Sequence, residues 1–285
     1  MRDRIILRTS AAVFGLAALT ACGSSPGSSA GSGGGSCTPA HEGLTTVVDG
    51  TLTTATYNFP PFVQVDGTNV GGLEGELLSR IAEMECLSLT GKPLDTGSVI
   101  PATQTGRVDI ASGNWWCTQE RADVMSLSNP VYMDQFGVIS TDGTDTFDEL
   151  QGKALGSVDG YNWNEDLKAI YGSDLRLYPN PTAMYNDLKS GRIDAAVDSS
   201  GSAAYANEQQ GSPWEVAVPA PDERVVSSLE PPQVCFPMSA ENEALVQAVN
   251  DNLESMREDG TIAELLEKHG LDPSASEVGD LRLIG

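Results

Sequence analysis

The sequence predicts an α/β protein of two lobes, each a mostly parallel sheet flanked by helices, with two hinge crossovers between them. Three observations point there. Between Gly50 and Gly113 the segments alternate strand–helix–strand–helix–strand, the order of a parallel sheet with crossover helices. The alternation resumes at Leu155, and each round contains a similar element: Gly106-Arg107-Val108-Asp109-Ile110-Ala111 in the first, Gly191-Arg192-Ile193-Asp194-Ala195-Ala196 in the second. Finally, Pro219 to Pro232, rich in Pro, Ser and Glu, leads out of the second round into another strand and a long helix. A chain that returns this way makes its first lobe discontinuous. The expected division is 37–138 with 230–270 for lobe one, 139–229 for lobe two, and 271–285 as a surface tail.

Residues 1–21 have the make-up of a leader: Arg2, Arg4 and Arg8 precede an apolar run from Ala11 to Leu19. That run is short for a bilayer span. Leu19-Thr20-Ala21-Cys22 resembles a bacterial lipobox, which implies cleavage before Cys22 and a lipid on its thiol. From Gly23 to Ser36 the chain is almost wholly Gly and Ser, so residues 22–36 read as a flexible tether with a reach of about 20 Å. The folded part is then extracytoplasmic and held to the cell membrane only through its lipid.

Gly50–Thr56 alternates as a strand and runs into Tyr57-Asn58-Phe59-Pro60-Pro61-Phe62, where the paired prolines end it. Gly71-Gly72 precede a helix marked by Leu73, Leu77, Leu78, Ile81 and Met84 at helical spacing. A strand near Leu87–Leu89 and a helix from Ser98 to Thr105 follow. Asp109 to Gly113 is the next strand, and Trp115, Trp116 and Cys117 come directly after it. Thr118 is a good N-cap for a helix whose first backbone N–H groups would be free to meet an anion. Arg121, one turn in, offers a planar fork of donors matched to a carboxylate. The alternative for Arg121 is a surface ion pair with Glu120 or Asp123.

Gln135–Ser140 reads as a strand crossing to the second lobe, where Leu155–Val158 and Leu175–Tyr178 are strands. Asn162 with Glu165 three residues on has the form of a capping box. Thr182 to Ser190 is a helix stopped by Gly191. On the return, Val234–Phe236 is a strand, Ser239 a cap, and Leu245, Val249, Leu253 and Met256 the buried face of a long helix. Ile262 to Lys268 is the last helix. His269, before Gly270, is placed to face its dipole.

Composition removes several function classes. A net charge of −24 over 285 residues disfavours nucleic acid and anionic lipid as partners. Two histidines, His41 and His269, leave no material for a His-rich metal site or a Ser-His-Asp triad. No metal or cofactor is implied. Beyond Cys22, Cys37, Cys86, Cys117 and Cys235 allow three disulfide pairings and form no C-x-x-C motif.

Phe59-Pro60-Pro61-Phe62, Gly72-Leu73-Glu74-Gly75-Glu76-Leu77, Ile100 to Asp109, Thr118-Gln119-Glu120-Arg121, Leu127 to Tyr132, Gly152 to Gly156 and Gly191 to Asp194 together resemble the family 3 extracellular solute-binding proteins. These are the substrate-capturing subunits of polar amino-acid ABC transporters, and the resemblance covers roughly 45–270. It implies a type II periplasmic-binding-protein fold closing on a ligand without covalent chemistry, hence no enzyme. By position it implies that Phe59 stacks on the ligand, that Gly113 and Asn114 hydrogen-bond it, and that Thr118 and Arg121 hold its carboxylate. Gly160, Tyr161 and Asn162 would add a helix N-terminus from lobe two. The implied fold also pairs Cys117 with Cys235 and Cys37 with Cys86.

Two departures stand out. Trp116 occupies a position where such proteins carry a small hydroxyl residue. The acid expected for the ligand's ammonium falls at Ser199, with Asp198 one residue earlier; either the register shifts and Asp198 serves, or the ligand lacks an ordinary α-ammonium, and the first is favoured. Tyr57, Phe59, Trp115, Trp116, Tyr161 and Trp163 all fall on segments that reach the cleft of this fold, an aromatic surplus suited to a methylated cation or a flat ring. Strand alternation sends one of Trp115 and Trp116 inward; Trp116 is taken for the site and Trp115 for the core.

The reading is therefore a monomeric, lipid-anchored subunit of an importer that binds a small zwitterion such as an amino acid, betaine or aromatic derivative. A permease and an ATPase are its implied partners. Two rivals differ in class: a cyclohexadienyl-dehydratase-like enzyme, with Asp198 or Glu74 as acid, and a ligand sensor acting through a separate receptor. Turnover of prephenate or arogenate distinguishes the first, and the neighbouring genes the second.

Overall fold

The computed structural model describes residues 37–211 and 214–285, so the leader, Cys22 and the tether lie outside the described residues. In chain order the elements are β1 (Thr51–Thr56), β2 (Gln64–Asp66), β3 (Asn69–Gly71), α1 (Gly72–Met84), β4 (Ser88–Pro93), α2 (Thr96–Gln104) and β5 (Ile110–Ala111). A single helical turn, α3 (Gln119–Ala122), precedes β6 (Ser126–Leu127) and β7 (Tyr132–Met133). Then come β8 (Phe136–Ser140), β9 (Leu155–Val158), α4 (Asn164–Tyr171), β10 (Leu175–Tyr178), α5 (Pro181–Lys189), β11 (Ala195–Ser199), α6 (Ser200–Gln210) and β12 (Glu215–Ala217). The chain closes with β13 (Gln233–Val234), β14 (Pro237–Met238), α7 (Glu243–Glu258) and α8 (Thr261–Lys268).

Two five-stranded sheets result, in the orders β4-β1-β5-β14-β6 and β10-β9-β11-β8-β12. In the first, β1 lies parallel to β4 and β5, while returning β14 is antiparallel to β5 and β6. In the second, β9 is parallel to β10 and β11, and β8 runs antiparallel between β11 and β12. Each lobe is thus parallel on one side and closed by strands that come from, or go to, the other lobe. The two crossing segments pair with each other as β7 and β13, Tyr132 opposite Val234 and Met133 opposite Gln233. This two-stranded ladder is the hinge.

The repeated Gly-Arg-x-Asp element has a structural cause. Gly106 and Gly191 sit at φ +64° and +70°, just after α2 and α5, where a left-handed residue ends a helix at least cost in glycine. The two aspartates then do the same work in each lobe. Asp109 accepts from the Thr53 and Val47 N–H groups at 2.8 Å, and Asp194 accepts from Ala154 N–H at 2.8 Å. Each carboxylate fixes the chain at the start of the neighbouring parallel strand.

Several local expectations shift. α4 begins at Asn164 with Trp163 at its N-cap and no capping side chain. Asn162 instead donates from Nδ2 to Ser227 Oγ at 2.6 Å, while Asn164 is tied to Ser157 and to the Val158 carbonyl. The cap of α7 is Asn242, not Ser239: Asn242 Oδ1 accepts from Leu245 N–H. α7 does bury Leu245, Val249, Leu253 and Met256. The Val234–Phe236 strand is in fact split, with β13 in the hinge and β14 in the first sheet. The hairpin β2–β3, α6 and β12 carry no strong period in the sequence and emerge only in the fold. The last residues are tied down: Ile284 pairs with Thr118, and Gln233 holds the Val278 and Asp280 carbonyls. A disulfide joins Cys117 to Cys235 across a Cα separation of 5.3 Å; Cys37 and Cys86 are also disulfide-bonded.

Candidate functional site

The loop after β5 is set by backbone constraints. Gly113 lies at φ +138° and Asn114 at φ +58°. A Cβ on Gly113 would stand 2.3 Å from Tyr57 Cε1, and Tyr57 OH donates to the Gly113 carbonyl at 2.8 Å. Glu74, from α1, is fully buried and receives the Gly113 and Asn114 N–H groups, both at 2.7 Å. Tyr132 OH lies 2.6 Å from its Oε1. Gly113 and Asn114, the residues implied to hydrogen-bond a ligand, line the inner space between the lobes, and their N–H groups are engaged by Glu74. Asn114 Nδ2 in turn donates to Asp134, just after the hinge strand β7, at 2.6 Å.

Thr118 caps α3, its Oγ1 accepting from Arg121 N–H. With only four residues, this helix offers no appreciable anion-binding terminus, and the side chain of Arg121 is what remains of that expectation. Arg121 is only 8% exposed. Its Nη1 donates to the Trp116 carbonyl at 2.6 Å, and its guanidinium sits 4.9 Å over the Trp115 ring. It makes no salt bridge among the described residues, and Glu120 acts on it only through space. Burial pushes its pKa down to about 10.

The structure corrects the division of labour between the tryptophans. Trp116 donates from Nε1 to Asp134 at 3.0 Å and packs on Trp163 at 4.7 Å, across the gap between lobes. Trp115 carries Arg121, meets Tyr57 edge-on at 5.9 Å, and has an indole N–H with no partner. Both rings are buried, and both line the inner cavity between the lobes.

From lobe two, Gly160 (φ +89°) approaches so closely that a Cβ there would lie 3.0 Å from Gly97 Cα. The lobes meet backbone to backbone at that point. Trp163 is held by Ser157 Oγ at 3.0 Å, and Tyr161 packs on Trp163 at 4.7 Å and Phe59 at 6.4 Å. Tyr161 OH donates to Asp198, which also receives Tyr185 OH and the Ser199 N–H. Asp198 therefore stands behind Tyr161 and does not line the cavity. Ser199 caps α6 and donates to Asp134 Oδ1 at 2.9 Å. Burial lifts the pKa of Glu74 and of Asp198 to about 7, and raises that of Asp134.

Two spaces with shared walls follow from this packing. The inner one lies among Phe59, Trp116, Tyr161 and Trp163 and holds about 10 Å³, at or below what one water needs. The outer one holds about 1020 Å³ and shares Trp115, Arg121, Tyr161 and Asn162 with the inner one.

A family model for bacterial extracellular solute-binding proteins, family 3, matches residues 52–272. The chain belongs to this family. Among relatives of this solute-binding protein, the probable amino-acid-binding protein YxeM of Bacillus subtilis (strain 168) is 26% identical over 217 residues, covering 73% of this chain and 79% of that one. The L-cystine-binding protein TcyJ of Escherichia coli (strain K12) is 27% identical over 216 residues, covering 74% and 78%. An ancestral arginine-binding protein bound to glutamine superposes with a TM-score of 0.68 at 26% identity, over 78% of this chain and 98% of that one. The two-lobed type II periplasmic-binding-protein fold follows.

Within this solute-binding protein the raised carboxyls bear on the enzyme reading. Glu74 and Asp198, the two acids nominated for that reading, are both shifted upward. Their oxygens, however, are engaged by internal donors, and neither residue lines the inner or the outer space. They brace the walls of the site. Glu74 was detectable: it falls in phase with Leu77, Leu78 and Ile81 on the buried face of α1, where a carboxylate has to be partnered. Asp134 and Tyr132, in the hinge, gave no such signal.

Proposed function

We propose that this chain is the lipid-anchored, extracytoplasmic solute-binding subunit of an ABC importer, and that it takes a small zwitterion, an amino acid or a derivative of one, between its lobes. The observation that carries the reading is Arg121: a buried guanidinium with no carboxylate partner among the described residues, on the wall of both spaces between the lobes. A ligand carboxylate supplies the missing charge, with the Trp115 ring beneath the fork fixing its plane. Relatives named for cystine and arginine binding support an amino-acid-type ligand. Because Trp116 and Trp163 bridge the gap, ligand affinity for the closed form has to exceed that for the open form if binding is to shift the population. The closed form docks on a permease driven by an ATPase, with the tether from Cys22 keeping the subunit near both. A thermal-shift screen of amino acids, betaines, polyamines and aromatic acids tests this. Stabilisation by carboxylated zwitterions is expected; hits confined to compounds without a carboxylate would remove Arg121 from the mechanism.

A further inference from the structure

Three buried carboxylates are bonded to residues that line the inner space, and each is already supplied with donors. Glu74 receives the Gly113 and Asn114 N–H groups and Tyr132 OH. Asp134 receives Asn114 Nδ2, Trp116 Nε1 and Ser199 Oγ. Asp198 receives Tyr161 OH, Tyr185 OH and the Ser199 N–H. None of the three lines the space, and the one charged residue that does is Arg121. Ser199, which stands where an acid for the ligand's ammonium is expected, carries no charge and is itself turned to Asp134.

The polar atoms of the lining residues do not make up for the missing acid. The Gly113 carbonyl takes Tyr57 OH, and the Trp116 carbonyl takes Arg121 Nη1. The indole N–H groups of Trp115, Trp116 and Trp163 can only donate. A primary ammonium brings N–H groups that all need acceptors, and burying them unpaired is costly. A quaternary ammonium brings none. Its charge is spread over methyl groups, which pack as apolar groups do and are attracted by aromatic faces.

Such faces come from both lobes: Phe59 and Trp116 from the first, Tyr161 and Trp163 from the second. Trp163 packs on Trp116 and on Tyr161, both at 4.7 Å, and Phe59 on Tyr161 at 6.4 Å. These rings fill the space to about 10 Å³. A solute therefore enters only where the lobes part, and it replaces ring–ring contacts by its own. Methyl groups can do so; N–H groups cannot.

Resting on the zwitterion reading above, we infer that the solute is an N-methylated zwitterion, with its carboxylate on Arg121 and its methylated nitrogen among Phe59, Trp116, Tyr161 and Trp163. Because the guanidinium and the four rings line one small space, the compact case is a quaternary nitrogen one carbon from the carboxylate, as in glycine betaine. The four aromatic residues are then specificity-determining. Glu74, Asp134 and Asp198 hold the rings and the loop in place and do not meet the cation.

The test is calorimetric titration of the mature protein with glycine, sarcosine, N,N-dimethylglycine and glycine betaine, and with L-glutamine, L-arginine and choline. Affinity should rise with each methyl, glycine betaine binding at least about tenfold more tightly than glycine. Choline, which has the cation without the carboxylate, should bind far more weakly than glycine betaine. Trp163→Leu should reduce the preference for glycine betaine over glycine by about fivefold or more, whereas Trp163→Phe keeps a ring face and should retain most of it. Trp163 also packs within lobe two, so the leucine variant should melt lower; the ratio of two affinities on one sample is a readout that lost stability alone does not move. Glycine, L-glutamine or L-arginine binding as tightly as glycine betaine, or a preference unchanged in Trp163→Leu, would overturn this inference and leave the proposed function standing. Choline binding as tightly as glycine betaine would overturn both, since both place a carboxylate on Arg121. Binding by none of these compounds would overturn the inference, and the thermal-shift screen would then decide the proposed function separately.

Discussion

Replacing Arg121 by methionine should separate the needs of the fold from those of the ligand. Burial moves this guanidinium down to about 10, so at neutral pH the folded protein carries the charged form at a cost of roughly 3 kcal/mol relative to water. Against that stand the stacking on Trp115, about 0.5–2 kcal/mol, and the bond to the Trp116 carbonyl, about 1.5–3 kcal/mol for a charged donor. These nearly cancel. Arg121→Met should therefore shift the melting temperature by no more than about 5 °C in either direction, at roughly 2–4 °C per kcal/mol for a domain of this size. Binding should behave quite differently. Losing one partner of a buried charge pair costs about 2–5 kcal/mol, so affinity for any carboxylated zwitterion should fall by at least about thirtyfold. Differential scanning fluorimetry and calorimetric titration read the two effects on one sample. A melting temperature down by 10 °C with affinity intact would mean that Arg121 is a structural residue whose role in capture has been misassigned.

Three further outcomes follow from the same geometry. Gly113→Ala puts a methyl 2.3 Å from the Tyr57 ring at φ +138°, and should lower stability by about 2–4 kcal/mol; an unchanged urea midpoint would contradict the loop geometry. Glu74 and Asp198 have folded pKa values near 7 against about 4 unfolded. Their contribution is thus fully present below about pH 4 and is lost as pH rises to about 7. Melting temperature should fall across that window, with a shallower slope in Asp198→Asn, and a rise would reverse the assignment. Cys22→Ser should release the protein from the membrane fraction into the medium or periplasm. Retention of the variant would show an uncleaved leader acting as the anchor.

Much of the fold was legible because it rests on repeated local devices. The alternation of strands and helices is periodic enough to read, and the Gly-Arg-x-Asp echo marks the same stop and the same strand tie in both lobes. What escaped was decided by tertiary context. α6 begins Ser-Gly-Ser-Ala-Ala, with no apolar stripe, and exists because Ser199 caps it and β8 and β11 lie against it. The caps at Asn162 and Ser239 were plausible locally, but Asn162 was drawn off by Ser227, and Asn242 sits one turn closer to the apolar face of α7.

The site divides in a similar way. Arg121, Thr118 and the aromatic residues could be named because their chemistry is unusual wherever they sit. Their roles could not, because a role depends on which donor finds which acceptor. Gly113 and Asn114 do line the inner space, but Glu74, far upstream in the chain, holds both of their N–H groups. Strand alternation was used to split Trp115 from Trp116, but Asn114 at φ +58° breaks the strand before the pair, and alternation no longer applies. The loop can therefore turn both indoles toward the gap, one under Arg121 and one onto Trp163. Thr96 shows the opposite limit: nothing in Asp95-Thr96-Gly97 marks it. Its buried hydroxyl has no partner among the described residues, which nothing in the sequence announces. Positive contacts can be guessed from residue types, whereas an unsatisfied atom becomes visible only once every neighbour has been placed.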